Sequence, residues 1–229
     1  MKKIIYFVIA IAFIFMTTKA YALRYSNSNW YTGVGIGYAH IIGLKSDFNN
    51  NVSLIDSELP TGASGSASVN VSSFGSNVYI GYNFNKYIAL QSGFDYLGSY
   101  KYNMNINYLG YYINESDTAD VYNIPIQIKA TLPVNNIFSV YALIGGNYWF
   151  VNESGTESTN IPDVNTNIPS NNAQGFSPAY GIGISYNLPA HNKIKLEYDY
   201  YQNLFNSSTT ISKSHYDVEY VSLQWQYNF

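Results

Sequence analysis

The sequence has no cysteine, little charge and only one long apolar run. Without cysteine, the chain cannot form disulfides, thiol nucleophiles or cysteine metal sites. Charged residues make up 11% of the 229 residues, whereas about 25% is usual in soluble domains. The formal net charge of −3 argues against nucleic-acid binding, which needs a basic surface. Beyond residue 22, no apolar run reaches the roughly 18 residues of a membrane-spanning helix.

Residues 1–22 have the organisation of a secretory signal peptide. Lys2 and Lys3 form a positive start, residues 4–16 are apolar, and Ala20-Tyr21-Ala22 fits a small-x-small cleavage site. A membrane anchor is the alternative, but this run is shorter than the roughly 20 residues that a spanning helix needs. We therefore expect export and cleavage after Ala22, which leaves residues 23–229 as one domain.

Apolar and polar residues alternate along eight segments of a chain that contains 25 tyrosines. The last segment shows the pattern clearly, with Val221, Leu223 and Trp225 on one side and Ser222, Gln224 and Gln226 on the other. A period of two is that of a β-strand with one apolar face. The segments are 30–40, 77–84, 87–98, 120–132, 138–151, 180–186, 193–202 and 218–229.

The connections between these segments alternate between short and long. Short turns lie at 83–86, 133–136 and 188–192, and long connections at about 41–75, 99–119, 151–175 and 203–215. An even number of strands, uncharged outer rows and this alternation of lengths are typical of outer-membrane barrels. We therefore predict an all-β fold, an eight-stranded antiparallel up-and-down transmembrane β-barrel. The turns and both termini would face the periplasm, and the four long loops would be extracellular.

The alternation also assigns side chains to the two faces of the predicted barrel. Segment 138–151 is ambiguous because both of its faces are apolar, and we place Val140, Ala142, Ile144, Tyr148 and Phe150 outward. The last strand should pair with the first and close the barrel. The predicted interior network consists of Gln91, Asp95, Gln127, Lys129, Lys195, Glu197 and Asp199. The predicted interfacial aromatic girdle consists of Trp30, Tyr82, Tyr122, Tyr148, Tyr186, Tyr200, Trp225, Tyr227 and Phe229.

Several stretches resemble, in matching order, the transmembrane domain of the outer-membrane protein A (OmpA) family. They are N-W-Y-T-G at 29–33, Y-I-A-L-Q-S-G-F-D-Y-L-G at 87–98, S-V-Y-A-L-I-G-G at 139–146, F-S-P at 176–178, K-L-E-Y-D-Y at 195–200 and the closing S-L-Q-W-Q-Y-N-F. The resemblance implies an eight-stranded barrel with roles in envelope integrity, a weak or gated small pore, and surface recognition by host cells or phage. It also implies that Trp225, Tyr227 and Phe229 form a C-terminal assembly signal for the barrel assembly machinery.

Two features depart from this family. The sequence ends at Phe229 without the family's periplasmic peptidoglycan-binding domain, so we expect no tether to the cell wall. The family's interior gate pairs two basic residues with two acidic ones. The basic positions correspond to Lys129 and Lys195, but the acidic positions correspond to Gln91 and Ser185, which are neutral.

We therefore expect an integral outer-membrane protein with a structural and surface-display role, whose extracellular loops mediate adhesion or recognition. The alternative is a narrow pore or gated small-solute channel. The expected partners are outer-membrane lipid and lipopolysaccharide, the assembly machinery during biogenesis, and a host-cell surface ligand. We expect no cofactor and no metal, because the acidic loop residues are dispersed. We expect no enzymatic activity either, since Ser214 and His215 are adjacent and would point to opposite faces of a strand.

Overall fold

The computed structural model describes residues 29–58, 62–161, 172–204 and 216–229. The predicted signal peptide and His215 lie outside the described residues. The elements are β1 (Trp30–Ile42), α1 (Leu44–Glu58), β2 (Ser64–Val69), β3 (Ser72–Asn83), β4 (Ile88–Tyr108), β5 (Tyr111–Pro133), β6 (Phe138–Thr159), β7 (Asn172–Asn187), β8 (Asn192–Leu204) and β9 (Tyr216–Asn228). Among these residues, no helix is long and apolar enough to cross a membrane.

The strands form one closed antiparallel sheet. Neighbours follow the order β2-β4-β3-β1-β9-β8-β7-β6-β5, and pairing between β4 and β5 closes the circle. β2 pairs with residues 102–107 of β4, and β3 pairs with residues 89–96 of the same strand. β2 and β3 therefore occupy one strand position, and the barrel has eight positions. The prediction of an eight-stranded up-and-down barrel is therefore confirmed. β1 pairs with β9, with Val34 opposite Trp225, so the last strand closes the barrel.

The outer face of the barrel is apolar around its middle. Ile36, Ile126 and Leu223 are 71%, 58% and 55% exposed, while the residues beside them on each strand point inward. The ambiguous segment follows the same rule, because Val140 and Ile144 are exposed and Tyr141 and Leu143 are buried. We call the end with the short turns the turn side and the opposite end the loop side.

Three strands continue far beyond the predicted barrel on the loop side. Apart from a β-bulge between Tyr96 and Gly98, β4 and β5 stay paired up to a two-residue turn at Leu109 and Gly110, so the predicted loop 99–119 is instead a β-hairpin. β6 likewise continues to Thr159. We call this sheet the extension; it comprises β2 with residues 102–108, 111–119 and 153–159. Helix α1 lies in the first long connection, and its Phe48 packs edge-on against Tyr102 with ring centroids 5.5 Å apart.

The barrel interior on the loop side is apolar, whereas the predicted interior network names only polar and charged residues. Inward side chains from seven strands form one buried cluster, and Leu44 of α1 packs against it. A barrel of eight strands is just wide enough for side chains to fill, and here they fill this end as they would a soluble core. We call these residues the loop-side cluster: Ala39, Ile41, Leu97, Tyr100, Val121, Trp149, Val151, Ala179, Tyr201, Leu204, Val218 and Tyr220.

Candidate functional site

An ion pair lies at the centre of the barrel interior. Lys195 Nζ is 2.9 Å from Glu197 Oε2, and the two side chains are 0% and 4% exposed. Lys195 also donates to Gln224 Oε1 at 2.8 Å, and Gln224 Nε2 donates to Glu197 Oε1 at 2.8 Å. Tyr141 OH donates to Glu197 Oε2 at 2.8 Å. The hydrogen bonds around the pair offset the large cost of removing two charges from water.

Lys129 has a different environment from Lys195. Its Nζ lies over two aromatic faces, 4.9 Å from the Tyr31 ring centroid and 4.7 Å from that of Tyr141. Gln91, which stands at one of the family's acidic positions, accepts a hydrogen bond from Tyr31 OH at 3.1 Å. The family's gate is therefore not reproduced: Lys195 pairs with a carboxylate on its own strand, and Lys129 faces aromatic rings and amides.

A second polar network lies nearer to the loop-side cluster. Asp95 Oδ2 accepts hydrogen bonds from Tyr201 OH at 2.7 Å and from Asn123 Nδ2 at 3.1 Å. Asn147 donates to Asn123 at 2.6 Å, which extends the network to a fourth strand. Asp199 is also buried here, and its Oδ1 has no hydrogen-bond partner among the described residues. The carboxylates of Asp95 and Asp199 thus lie toward the loop side of the lysines.

Inward tyrosine rings on the turn side lie flat over glycines of the neighbouring strand. A methyl group added at Gly33 would overlap the end of the Tyr79 ring, one at Gly81 that of Tyr31, and one at Gly183 that of Tyr141. Each glycine is the direct cross-strand partner of its tyrosine. Because glycine has no side chain, the tyrosine ring can lie directly against the backbone of the neighbouring strand. The tyrosine hydroxyl groups then border the polar network.

The predicted girdle residues are outward, and most take part in aromatic contacts. Trp30 and Tyr82 meet edge-on at 5.1 Å, and Tyr227 and Phe229 meet at 5.4 Å, both on the turn side. On the loop side, Tyr122 and Phe150 stack at 5.0 Å. The remaining members Tyr148, Tyr186 and Trp225 contact Phe176, Phe138 and Tyr227, while Tyr200 OH donates a hydrogen bond to Asp217. Two aromatic bands thus border the apolar middle of the barrel.

The tip of the extension carries a strained and exposed leucine. Leu109 has a φ of 50° and is 76% exposed, and Gly110 follows with a φ of 86°. Two positive φ values make a tight hairpin turn, in which Asn or Asp is the usual residue before Gly. A leucine here carries the left-handed backbone penalty of roughly 1–2 kcal/mol. Tyr111 and Tyr112 lie exposed beside it, so the tip presents an apolar, aromatic surface.

The inner face of the extension is acidic. Glu115 lies directly opposite Glu157. Asp117 and Glu153 follow along the same two strands, and their side chains point to the same face of the sheet. Burial raises the pKa of Glu115, and the charges of Asp117 and Glu157 raise it further. Burial also raises the pKa of Glu153, with a smaller contribution from Asp117. Each carboxylate therefore makes ionisation of its neighbours less favourable.

His40 lies outward at the loop-side rim. Its Nδ1 is 2.8 Å from Ser72 Oγ. The two residues are 32 positions apart, so the sequence alone does not indicate this contact. Glu219 is the cross-strand neighbour of His40 on the other side, but it accepts a hydrogen bond from Tyr198 OH at 2.9 Å. Among the described residues, no carboxylate forms a hydrogen bond or an ion pair with His40 of this pair.

Comparison with known proteins identifies the family of this barrel. A sequence model of the family described as OmpA-like transmembrane domain matches residues 25–229. The chain belongs to this family. It is 25% identical over 204 residues to outer membrane protein A of Escherichia coli O157:H7, a match that covers 88% of this chain and 48% of that protein. Outer membrane protein A of Serratia marcescens is 23% identical, with 96% and 55% covered.

A solved structure also aligns with this OmpA-like chain. The N-terminal β-barrel domain of Pseudomonas aeruginosa OprF aligns with a TM-score of 0.45 at 10% identity, over 88% of this chain and 98% of that one. This chain spans about half the length of the curated relatives that it matches. It is an outer-membrane β-barrel protein of the OmpA-like family.

Proposed function

We propose that this OmpA-like barrel displays a recognition surface outside the cell, and that the tip of its extension contacts a ligand on host cells. A strand that crosses the outer membrane needs roughly 9–11 residues. β4 has 21 residues, β5 has 23 and β6 has 22. At about 3.3 Å per residue, the surplus of roughly ten residues carries the tip about 30 Å beyond the rim.

The observation that carries the proposal is Leu109. An exposed large apolar side chain in a left-handed backbone conformation is unfavourable on both counts. Backbone strain of this kind concentrates at sites of ligand contact. Tyr111 and Tyr112 add the residue type that is enriched in binding hot spots. Together these side chains support a binding mode in which the apolar tip of the extension inserts into a pocket of a protein ligand.

Outer-membrane lipid and lipopolysaccharide are the proposed surroundings of the apolar belt and its aromatic bands. The assembly machinery is the proposed partner during biogenesis, through Trp225, Tyr227 and Phe229. The position of these residues supports this role, because β9 closes the barrel and Phe229 N still donates to Trp30 O at 3.0 Å. A strand that completes the closure is a suitable element for recognition during barrel assembly.

Leu109→Asn separates recognition from folding. Asparagine suits the turn better than leucine, so the hairpin should be at least as stable. Loss of the apolar anchor should reduce adhesion about tenfold, the effect of roughly 1.4 kcal/mol in binding. The assay counts bacteria of a non-adherent strain that bind cultured epithelial cells while they express each variant at equal surface level.

Val134→Asn is the matched control, since Val134 is an apolar residue that is 63% exposed at the opposite, turn-side end. It should adhere like the parent protein. A second variant replaces residues 106–113 by Asn-Gly and removes the tip while it keeps the lower hairpin. Adhesion that is unchanged in both tip variants, or no adhesion by the parent protein above the empty strain, would overturn the proposal.

A further inference from the structure

Positive charge is concentrated in the turn-side half of the barrel interior. Along β8 from the turn, the inward ionisable residues are Lys193, Lys195, Glu197 and Asp199 in that order. Lys129 lies near the end of β5 that adjoins the turn. The aspartates of the interior lie farther toward the loop side. Three lysines therefore share this half with one carboxylate, that of Glu197.

Lys129 forms no ion pair among the described residues, and the carboxylate that attracts it, that of Glu197, is already paired with Lys195. Lys195 and Glu197 form the one ion pair that the described residues contain, and no hydrogen bond joins Lys129 Nζ to another described group. Lys129 nevertheless keeps 7% of its surface accessible, whereas Lys195 keeps none. A space of solvent size therefore adjoins the side chain that lacks a partner.

An isolated ammonium group in a low-dielectric interior is unfavourable, so it either loses its proton or gains an anion. Burial and the nearby ammonium groups of Lys193 and Lys195 oppose the charge on Lys129. The carboxylate of Glu197 and two aromatic rings favour it. The faces of Tyr31 and Tyr141 both lie within 5 Å of Nζ, and aromatic faces attract a cation but not a neutral amine. Retention of the charge requires an anion close to Nζ.

A second donor faces the same part of the interior. Gln127 precedes Lys129 by two residues, so both side chains point inward from β5. Gln127 is 2% exposed, and its Nε2 has no hydrogen-bond partner among the described residues. A buried amide donor without an acceptor costs roughly 1–3 kcal/mol. One anion between the two side chains would satisfy both groups.

We propose that the turn-side interior binds one small inorganic anion of the size of chloride, held by Lys129 Nζ and Gln127 Nε2. The anion takes the place of the carboxylate that Lys129 lacks. Side chains fill the interior of an eight-stranded barrel, so the space beside Lys129 suits a monatomic ion rather than a large organic anion. Lys193, which lies nearer the turn-side mouth, adds positive potential along the entry.

Bromide substitution locates the ion directly. Crystals of the folded barrel grown with sodium bromide should give an anomalous peak within about 3.5 Å of Lys129 Nζ, the usual range of a charge-assisted contact. Crystals of Lys129→Met should lack the peak. A parent protein without a bromide peak at this position overturns the proposal, because Lys129 is then neutral or satisfied in another way.

Thermal stability in detergent gives an independent test. The folded fraction is read from gel mobility before and after heating, at equal sodium concentration in chloride and in gluconate, an anion too large to enter. Chloride should raise the midpoint of the parent protein by at least about 2 °C, as binding to the folded state alone does. Lys129→Met should have the same midpoint in both salts.

Lys86→Met is the control, because Lys86 is an exposed turn lysine over the Tyr87 ring at 4.8 Å and should keep the chloride response. Equal chloride responses in the parent protein and in Lys129→Met would overturn the proposal. If Lys129→Met does not fold, Lys129→Gln replaces it in both measurements. The bromide peak in the parent protein decides the proposal without any variant.

Discussion

Replacing Glu197 by glutamine should be among the most damaging isosteric changes in the interior. The substitution keeps the shape of the side chain but removes the charge that faces Lys195 Nζ at 2.9 Å. Loss of one partner from a buried ion pair costs roughly 3–5 kcal/mol because the other charge remains. Lys195 is fully buried, so water cannot solvate its ammonium group in place of the carboxylate.

The expected magnitude lies toward the lower end of that range. Lys195 keeps its hydrogen bond to Gln224 Oε1 at 2.8 Å and its position 4.3 Å from the Tyr79 ring centroid. We expect a loss of about 3 kcal/mol, close to two decades in the unfolding equilibrium constant. With a urea dependence of about 2 kcal/mol/M, the midpoint should fall by about 1.5 M. The assay is reversible urea unfolding in lipid, followed by tryptophan fluorescence.

The double variant Lys195→Met with Glu197→Met tests the cause. Removal of both charges should recover at least about half of the lost stability, since apolar replacement of a buried pair is often neutral. Tyr141 OH loses its acceptor in the double variant, so recovery should be incomplete. If Glu197→Gln lies within about 0.5 kcal/mol of the parent protein, or if the double variant is no more stable than the single one, the reasoning fails.

Two further predictions concern the loop side. Trp149→Ala should lower the free energy of unfolding by roughly 3–5 kcal/mol, because the ring is 2% exposed within the loop-side cluster. The same urea titration measures the loss, and a value below about 1 kcal/mol would contradict the prediction. The extension should become more protected as the pH falls. The pKa of Glu115 is raised in the folded state above its ordinary value of 4.5, so its contribution is fully present below the unfolded pKa and is lost as the pH rises through the folded pKa. Hydrogen exchange of the 102–119 hairpin, corrected for intrinsic rates, should therefore be slower at pH 5 than at pH 7.5. Glu115→Gln should remove most of this difference. An equal pH dependence in the parent protein and in Glu115→Gln would refute the prediction.

The barrel and its faces could be predicted because alternation with a period of two is a local property of each strand. Lys195, Glu197 and Asp199 fall inward by parity alone, and Ile194 and Leu196 fall outward. Partners across the barrel could not be predicted in this way. The bond from Tyr201 OH to Asp95 and the position of Lys129 between Tyr31 and Tyr141 depend on tilt and register.

The extension and the loop-side cluster were missed for identifiable reasons. The many asparagines of 99–119 suggested a loop, but Tyr102, Met104, Ile106 and Tyr108 alternate with them in the period of a strand. The apolar character of both faces makes segment 138–151 ambiguous in the sequence. The inner face is apolar because Trp149 and Val151 belong to the loop-side cluster.

The tyrosine rings that lie over cross-strand glycines also constrain how such a chain can diverge. In each of three pairs, a side chain at the glycine would overlap the tyrosine ring, so we expect the two positions to change together: Gly33 with Tyr79, Gly81 with Tyr31, and Gly183 with Tyr141. A side chain gained at the glycine alone would push the ring off the wall and into the space of the lysines. The accessible route for a descendant is a joint exchange, in which the ring shrinks in the same lineage in which the glycine grows.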